Sequence, residues 1–197
     1  MKKNKLIIAS SNKGKINEFQ KILRDFECIP QSVFNISDVE ETGKDFEENA
    51  ILKAKNAFTK TNISSVGDDS GLIVPAINNE PGLYSARYAG LNATDSDNRN
   101  KLISKLKDNK LESTYAYFFC CIVAVGIKGQ NEIIVCSGKV EGEVRTIERG
   151  EKGFGYDPMF YPKGYSESFA ELNSLEKNKI SHRGQALKKL MDKLNET

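Results

Sequence analysis

Apolar and polar positions along the chain switch between a period of two and a period near 3.6, and the switches predict the order of elements. Leu6-Ile7-Ile8-Ala9 is an unbroken apolar run of strand length, the pattern of a buried strand. Ser10 to Lys15 follows as a polar loop and leads into a helical pattern from Ile16 to about Leu23. Asp45 with Glu48 resembles a capping box, and Phe46 to Phe58 then carries small and apolar residues at helical spacing. Ala50, Ala54 and Ala57 in that stretch suit close packing on a sheet. Leu72 to Ile77 predicts a strand, Ser96 to Leu106 an amphipathic helix, Tyr115 to Ile127 a long buried strand, and Ile133 to Val140 its neighbour. A glycine-dotted loop from Gly150 to Gly164 precedes a last helix, about Ser181 to Leu194, with Ala186, Leu187, Leu190, Met191 and Leu194 on one stripe. Alternating elements with a long strand pair indicate an α/β fold around a mixed sheet.

Composition narrows the class. A chain of 197 residues, 39% hydrophobic, is long enough for one well-buried core and is expected to form a single domain over residues 1–197. Its 29 basic and 27 acidic residues leave a net charge of +2, too weak a field to hold duplex DNA, so no nucleic-acid partner is expected. A small phosphorylated ligand stays open, because local lysines can serve it. The basic cluster Met1-Lys2-Lys3-Asn4-Lys5 is followed by too short an apolar stretch for a secretion signal, and nothing approaches a membrane span. A soluble cytoplasmic protein is expected. Cys28, Cys120, Cys121 and Cys136 lack metal-ligand spacing and accompany a single histidine, so they read as reduced core residues.

Several polar clusters could carry chemistry. Asp68 and Asp69 stand side by side in Gly67-Asp68-Asp69-Ser70-Gly71-Leu72, where two carboxylates need water or a cation, and a divalent metal is the natural candidate. A solvated turn is the alternative. Ser10, Ser11, Asn12, Lys13, Gly14 and Lys15 offer hydroxyl, amide and amine groups at a helix N-terminus, which suits phosphate, although an ordinary turn fits as well. The segment is not a Walker A loop, since Ala9 and Ile16 occupy two of its required positions. Glu40-Glu41 forms a second acidic pair, and Lys53 lies one turn after Asn49. Gly153-Phe154-Gly155-Tyr156-Asp157-Pro158 places a ring able to stack on a planar ligand near a carboxylate able to accept from a ring N–H, in a stretch that also reads as a turn opening. His182 and Arg183 put cations in a first helical turn, against the helix dipole, which suggests binding or else an exposed end.

Taken in order, these blocks resemble the inosine triphosphate pyrophosphatase family. The match includes Ser10-x-Asn12-x-x-Lys15, Glu41-Thr42-Gly43, Phe46-x-Glu48-Asn49-Ala50-x-x-Lys53-Ala54 and Asp68 to Leu72. Pro81-Gly82-x-Tyr84-Ser85-Ala86-Arg87-Tyr88, Gly153 to Pro158 and Ser181-His182-Arg183-Gly184-x-Ala186 complete it. The resemblance implies a long mixed β-sheet flanked by helices, two lobes with a central cleft, Mg2+ dependence and a homodimer. It implies hydrolysis of noncanonical purine nucleoside triphosphates, inosine, deoxyinosine and xanthosine triphosphates, to monophosphate and pyrophosphate. Carried onto this chain, Ser10, Asn12 and Lys15, with Ser11, Lys13 and Gly14 of the same loop, contact the triphosphate, with Lys53 near it. Glu40 and Asp69 hold the magnesium, Asp69 acts as base and Ser70 lies beside the substrate. Phe154, Gly155, Tyr156, Asp157, Lys177, His182 and Arg183 form the base pocket. Pro81 to Tyr88 shapes the lobe junction or the dimer interface, with Arg87 in reserve for phosphate.

The residue types favour metal-assisted water attack over a covalent intermediate, since the lone histidine matches a base-binding position. A 6-oxo purine offers an acceptor to His182, Arg183 or Lys177, whereas adenine faces them with a donor. Two alternatives share the motif set in part: a pyrophosphatase of the related Maf type acting on modified pyrimidine nucleotides, and a nucleotide-binding module without turnover.

Overall fold

The computed structural model describes residues 3–129 and 132–195, so Met1 and Lys2 of the basic N-terminal cluster lie outside it. The elements run β1 (Asn4–Ile8), α1 (Lys13–Ile22), β2 (Phe26–Pro30), α2 (Phe46–Thr61), β3 (Ser65–Val74), β4 (Glu80–Pro81) and α3 (Asp95–Asp108). They continue with β5 (Ser113–Val125), β6 (Ile133–Arg145), β7 (Phe160–Pro162), α4 (Ser174–Ile180) and α5 (His182–Asn195). The strands hydrogen-bond in the order β2-β1-β3-β5-β6-β7, with β4 added on β3. β1 is parallel to β2 and β3, whereas β4 on β3 and β7 on β6 are antiparallel, so the sheet is mixed and the α/β class predicted from sequence holds.

Contacts divide the chain into two compact units. The first takes the chain up to Asp69, then Cys120–Gly138, then the stretch from Arg183 onward; the second takes Ser70–Phe119 and Lys139–His182. β3, β5 and β6 therefore each contribute to both.

In the first unit, the buried part of β1, Leu6 to Ile8, shows why that run is apolar. Leu6 and Ile8 pack with Phe19 and Leu23 of α1 and Ala186, Leu187 and Leu190 of α5, while Ile7 and Ala9 pack with Ala57 of α2. Alternate side chains of a strand face opposite ways, and here both faces are covered by helices. Val66 of β3 belongs to the α1–α5 side, with Cys120, Ile122 and Ala124 of β5. In the second unit, Leu72 and Val74 of β3 pack with Leu102 and Leu106 of α3, Phe118 of β5, Val140 and Val144 of β6, and Phe160 and Phe169.

The boundaries depart from the predicted ones where burial or capping overrides local pattern. β3 begins at Ser65, ahead of Leu72, so Asp68 and Asp69 lie inside a buried strand and not in a solvated turn. Gly, Asp and Ser are poor strand formers, yet tertiary contacts decide. The strand stops at Val74 because Pro75 has no N–H for the ladder, and Pro75–Ile77 forms a short 3-10 turn. Asn12 caps α1, its Oδ1 accepting from the Lys15 N–H at 3.0 Å, which brings the helix start forward to Lys13. β2, β4, β7 and α4 are short elements that no periodic pattern announced. Ser181, expected at the start of the last helix, ends α4, its N–H donating to the Lys177 carbonyl at 2.8 Å.

All four cysteines are free thiols, three of them buried and Cys28 partly so. Among the described residues, no helix is long and apolar enough to cross a membrane.

Candidate active site

β3 brings two carboxylates to opposite sides of the sheet. Asp68 shares the face of Val66, two positions earlier, and Asp69 shares the face of Gly67. Asp68 is 2% exposed, and its Oδ2 accepts from Arg183 Nε at 3.2 Å and Nη2 at 3.1 Å and pairs with Lys15 Nζ at 3.1 Å. Arg183, likewise 2% exposed, extends Nη1 to Glu18 Oε2 at 2.5 Å. Burial by itself raises the Asp68 carboxyl, but Lys15, Arg183 and Lys53 outweigh it and hold the group well below the usual carboxylate range. Burial disfavours the Arg183 charge, and Asp68 and Glu18 more than restore it. Asp68 is thus a carboxylate held ionised at neutral pH, an anchor between α1 and α5.

On the other face, α2 supplies the partners. Asp69 Oδ2 accepts from Asn49 Nδ2 at 3.1 Å and Oδ1 from Lys53 Nζ at 3.0 Å. Asn49 and Lys53 are one turn apart, as the helical spacing predicts, so both reach the same carboxylate. The Gly43 N–H donates to Asn49 Oδ1 at 2.8 Å, which turns the amide so that its NH2 faces Asp69. Lys53 also pairs with Glu41 Oε1 at 2.6 Å and donates to the Asp68 carbonyl at 3.1 Å. This close approach of helix to strand requires Gly67: a Cβ there would lie 2.6 Å from the Ala50 carbonyl oxygen and 2.8 Å from the Ala54 nitrogen. Burial raises the Asp69 carboxyl, Lys53 and Lys15 offset it only in part, and Glu41 adds to the rise. For Lys53, the carboxylates of Asp69, Asp68 and Glu41 overcome the opposing effect of burial and raise it.

The acid that joins this cluster is Glu41. Glu40, the expected metal ligand, is exposed, whereas Glu41, at a turn closed by the Thr42 N–H donating to the Glu40 carbonyl at 3.1 Å, reaches Lys53. Asp69 and Glu41 converge on one cation, the Lys53 ammonium, and both are hard oxygen donors of the kind magnesium accepts. Among the described residues, no three His, Cys, Asp or Glu side chains gather as a ready-made metal cage.

The loop before α1 presents its groups as expected. Ser10 Oγ accepts from the Asn12 N–H at 3.2 Å, and Ser11 Oγ donates to Asp38, whose other oxygen accepts from Gln31 Nε2 at 2.6 Å. Ser11, Asn12 and Lys13 are exposed, Gly14 and Lys15 half-buried. The first turn of α1 carries no acid, which leaves its N-terminus favourable to an anion.

A second constellation lies within the second unit. Asp157, 3% exposed, accepts on Oδ2 from the Phe154 N–H at 2.8 Å and from Lys177 Nζ at 2.5 Å. Lys177 also stands 4.9 Å from the centroid of the Phe154 ring. Gly153 and Gly155, with φ of +78° and +60°, let the chain turn tightly on either side of Phe154. The Tyr156 hydroxyl donates to the Ser85 carbonyl at 2.9 Å, and the His182 ring stacks on Phe118 with centroids 4.7 Å apart. Ser70 continues β3 beyond Asp69 and is half-buried. Gly82–Arg87 is a short 3-10 helix in which Arg87 lies over the Tyr84 ring.

Sequence reasoning put Lys53 near the triphosphate and Asp69 with Glu40, whereas the structure pairs Asp69 with Lys53; Phe154, Asp157 and Lys177, grouped from sequence, lie together. It assigned Arg183 to the base pocket, whereas the guanidinium is committed to Asp68 and Glu18. It gave no role to Asn49, Glu18 or Glu41, which the structure pairs with Asp69, Arg183 and Lys53. Asn49 had a signal, its position four residues before Lys53; Glu18 had none.

The chain matches the Ham1 family over residues 6–193. A dITP/XTP pyrophosphatase of Legionella pneumophila (strain Lens) is 46% identical over 185 residues, 94% of this chain and 95% of that protein. Among solved structures, a HAM1 protein from Coxiella burnetii superposes with a TM-score of 0.86 at 43% identity, covering 98% of this chain and all of that one. The Staphylococcus aureus Ham1 protein gives 0.83 at 44% identity, covering 97% and 98%.

Proposed function

The chain belongs to the Ham1 family, and on that premise we propose that it is a pyrophosphatase for noncanonical purine nucleoside triphosphates. Its substrates are inosine, deoxyinosine and xanthosine triphosphates, and its products are the nucleoside monophosphate and pyrophosphate. The observation that carries the reading is Asp69, a buried carboxylate with a raised pKa, oriented from two sides by Asn49 and Lys53. A base that is held in place and raised toward the working pH is suited to taking a proton from water.

In this reading Asp69 accepts that proton as the water attacks the α-phosphorus, and the bond to the β-phosphate oxygen breaks. Lys53 and Lys15, with the backbone N–H groups at the start of α1 and the hydroxyls of Ser10 and Ser11, take the charge of the triphosphate. Ser70 lies next to Asp69 in the chain and accompanies the substrate. Mg2+, held by Asp69 with Glu41 or Glu40, would polarise phosphate oxygens and neutralise departing charge, using substrate oxygens and water for its remaining positions.

Phe154 supplies the stacking face for the purine, with Gly155 and Tyr156 shaping the loop around it. Lys177 and His182 supply donors to a 6-oxo group, and Asp157 accepts from a ring N–H. Adenine would set donor against donor, an unmatched pairing that costs about 1–3 kcal/mol. Arg183 serves the site from the other face of β3, by holding Asp68 ionised. A homodimeric state, which the resemblance implies, and a cytoplasmic location, expected from composition, accompany the proposal.

The test is pyrophosphate release from inosine, xanthosine, adenosine and guanosine triphosphates, with Mg2+ and with excess chelator. Mg2+-dependent turnover of the first two alone is expected. Stable binding without release would make the protein a nucleotide sensor, and turnover of all four would remove the base pocket.

A further inference from the structure

The loop that carries Phe154 and Asp157 is held at a single residue, Gly155, by α3. The Gly155 N–H donates to Asp95 Oδ2 at 2.7 Å, and its carbonyl accepts from Arg99 Nη1 at 2.9 Å. Asp95 and Arg99 are four residues apart, hence neighbours on one helix face. Arg99 also pairs through Nε with Glu148 Oε1 at 3.0 Å, so one guanidinium ties the residue that precedes the loop to the loop's tip. Both bonds to Gly155 involve an ionised partner, the stronger class of hydrogen bond.

The position matters because of what adjoins it. Gly155 has φ of +60° and no side chain of its own to fix it, so the free chain has many conformations open there. Phe154 is bonded directly to it, and the Phe154 N–H is the group that orients Asp157. Tyr156, on the other side, is 4% exposed and anchored in the core of the second unit. The loop is thus firm beyond Gly155, and α3 extends that firmness to Phe154.

We propose that Asp95 and Arg99 are positioning residues for base selection, acting through the two peptide groups that flank the Gly155 Cα to set the plane of Phe154 and the direction of the Asp157 carboxylate. The inference rests on the reading that this loop receives the purine. Neither residue touches the base. A loop released from α3 has to be ordered each time a nucleotide binds, and that ordering weakens affinity and leaves the hydrolytic step alone.

The experiment uses the full chain with Arg99→Ala and, separately, Asp95→Ala, the second at an exposed position that leaves the fold intact. With inosine triphosphate and Mg2+, each variant should raise KM by about tenfold and keep kcat within about twofold, a split that marks lost binding. The preference for inosine over adenosine triphosphate should fall with it. Inhibition by inorganic tripolyphosphate, which has no base, should be unchanged. Arg99→Lys, which keeps one donor, should recover part of the KM. Unchanged KM and selectivity in both alanine variants overturns the proposal, as does a parallel loss of kcat and tripolyphosphate inhibition. Failure of the wild-type protein to release pyrophosphate from any nucleotide would strike the functional reading itself; normal wild-type turnover with indifferent variants strikes only the role of α3.

Discussion

Asp68 and Asp69, bonded neighbours in β3, face opposite sides of the sheet, the first receiving Arg183 and Lys15 and the second Asn49 and Lys53. The strand's two-residue repeat gives each member of a like-charged pair its own hydrogen-bonding partners, while Lys15 and Lys53 act on both. Their pKa values move apart accordingly, Asp68 downward and Asp69 upward. Groups pushed apart in this way take different roles, one as a fixed charge and the other as a proton acceptor.

Replacing Asp69 by Asn keeps the shape and removes the base. Turnover should fall by at least about 100-fold, the usual contribution of a general base, while nucleotide affinity measured by titration calorimetry persists. Because folding raises the Asp69 carboxyl, its ionised form is a burden on the native state at neutral pH. The variant should therefore resist urea at least as well as the wild type. Wild-type turnover would remove Asp69 from the mechanism.

The same shift fixes the pH profile of the reaction. A base works deprotonated, so kcat rises as pH climbs through the pKa of Asp69, and that pKa is raised from the ordinary 3.8. The acid limb of the rate profile should accordingly lie above that value. A limb at or below it would mean that another group titrates.

Asp68 predicts the opposite sign in stability. Its folded-state carboxyl is depressed below the ordinary 3.8, so the stability it contributes is fully present above about pH 4 and is lost progressively as pH falls below that. Asp68→Ala leaves Arg183 and Lys15 facing a buried void and should cost about 3–5 kcal/mol at neutral pH by urea denaturation. The gap between variant and wild type should narrow as the solution is acidified below about pH 4. A constant gap would show that packing, not charge, is what Asp68 provides.

Gly67→Ala tests the seating of α2. The added methyl would meet backbone atoms of Ala50 and Ala54, which have no rotamer to escape into. A loss of about 1–3 kcal/mol is expected, with a fall in kcat as Asn49 and Lys53 are pushed from Asp69. Crystallography of the variant would show the displacement directly, and full activity in a stable variant would mean the helix can shift without harm.

The elements with strong periodicity were legible. β1 reads as apolar because both its faces are covered, the Asp45 cap marks α2, and the stripe of α5 marks the last helix. The site was legible in its blocks but not in its pairings. Arg183 meets Asp68 across 115 positions and Glu18 across 165, distances at which no local spacing carries information. That Glu41 and not Glu40 pairs with Lys53 depends on the local turn, and adjacent identical residues look alike in sequence. β3 was read too short because its Gly, Asp and Ser residues are poor strand formers that only their surroundings hold extended.

Each unit is assembled from separated stretches, three for the first and two for the second. No single span of the gene encodes either one. Leu6 and Ile8 are made well before Ala186, Leu187 and Leu190, which cover them together with Phe19 and Leu23. During synthesis the first unit must therefore wait with one side of β1 only partly covered until α5 leaves the ribosome. A message broken before that helix yields not a smaller enzyme but an exposed sheet, a substrate for chaperones and proteases.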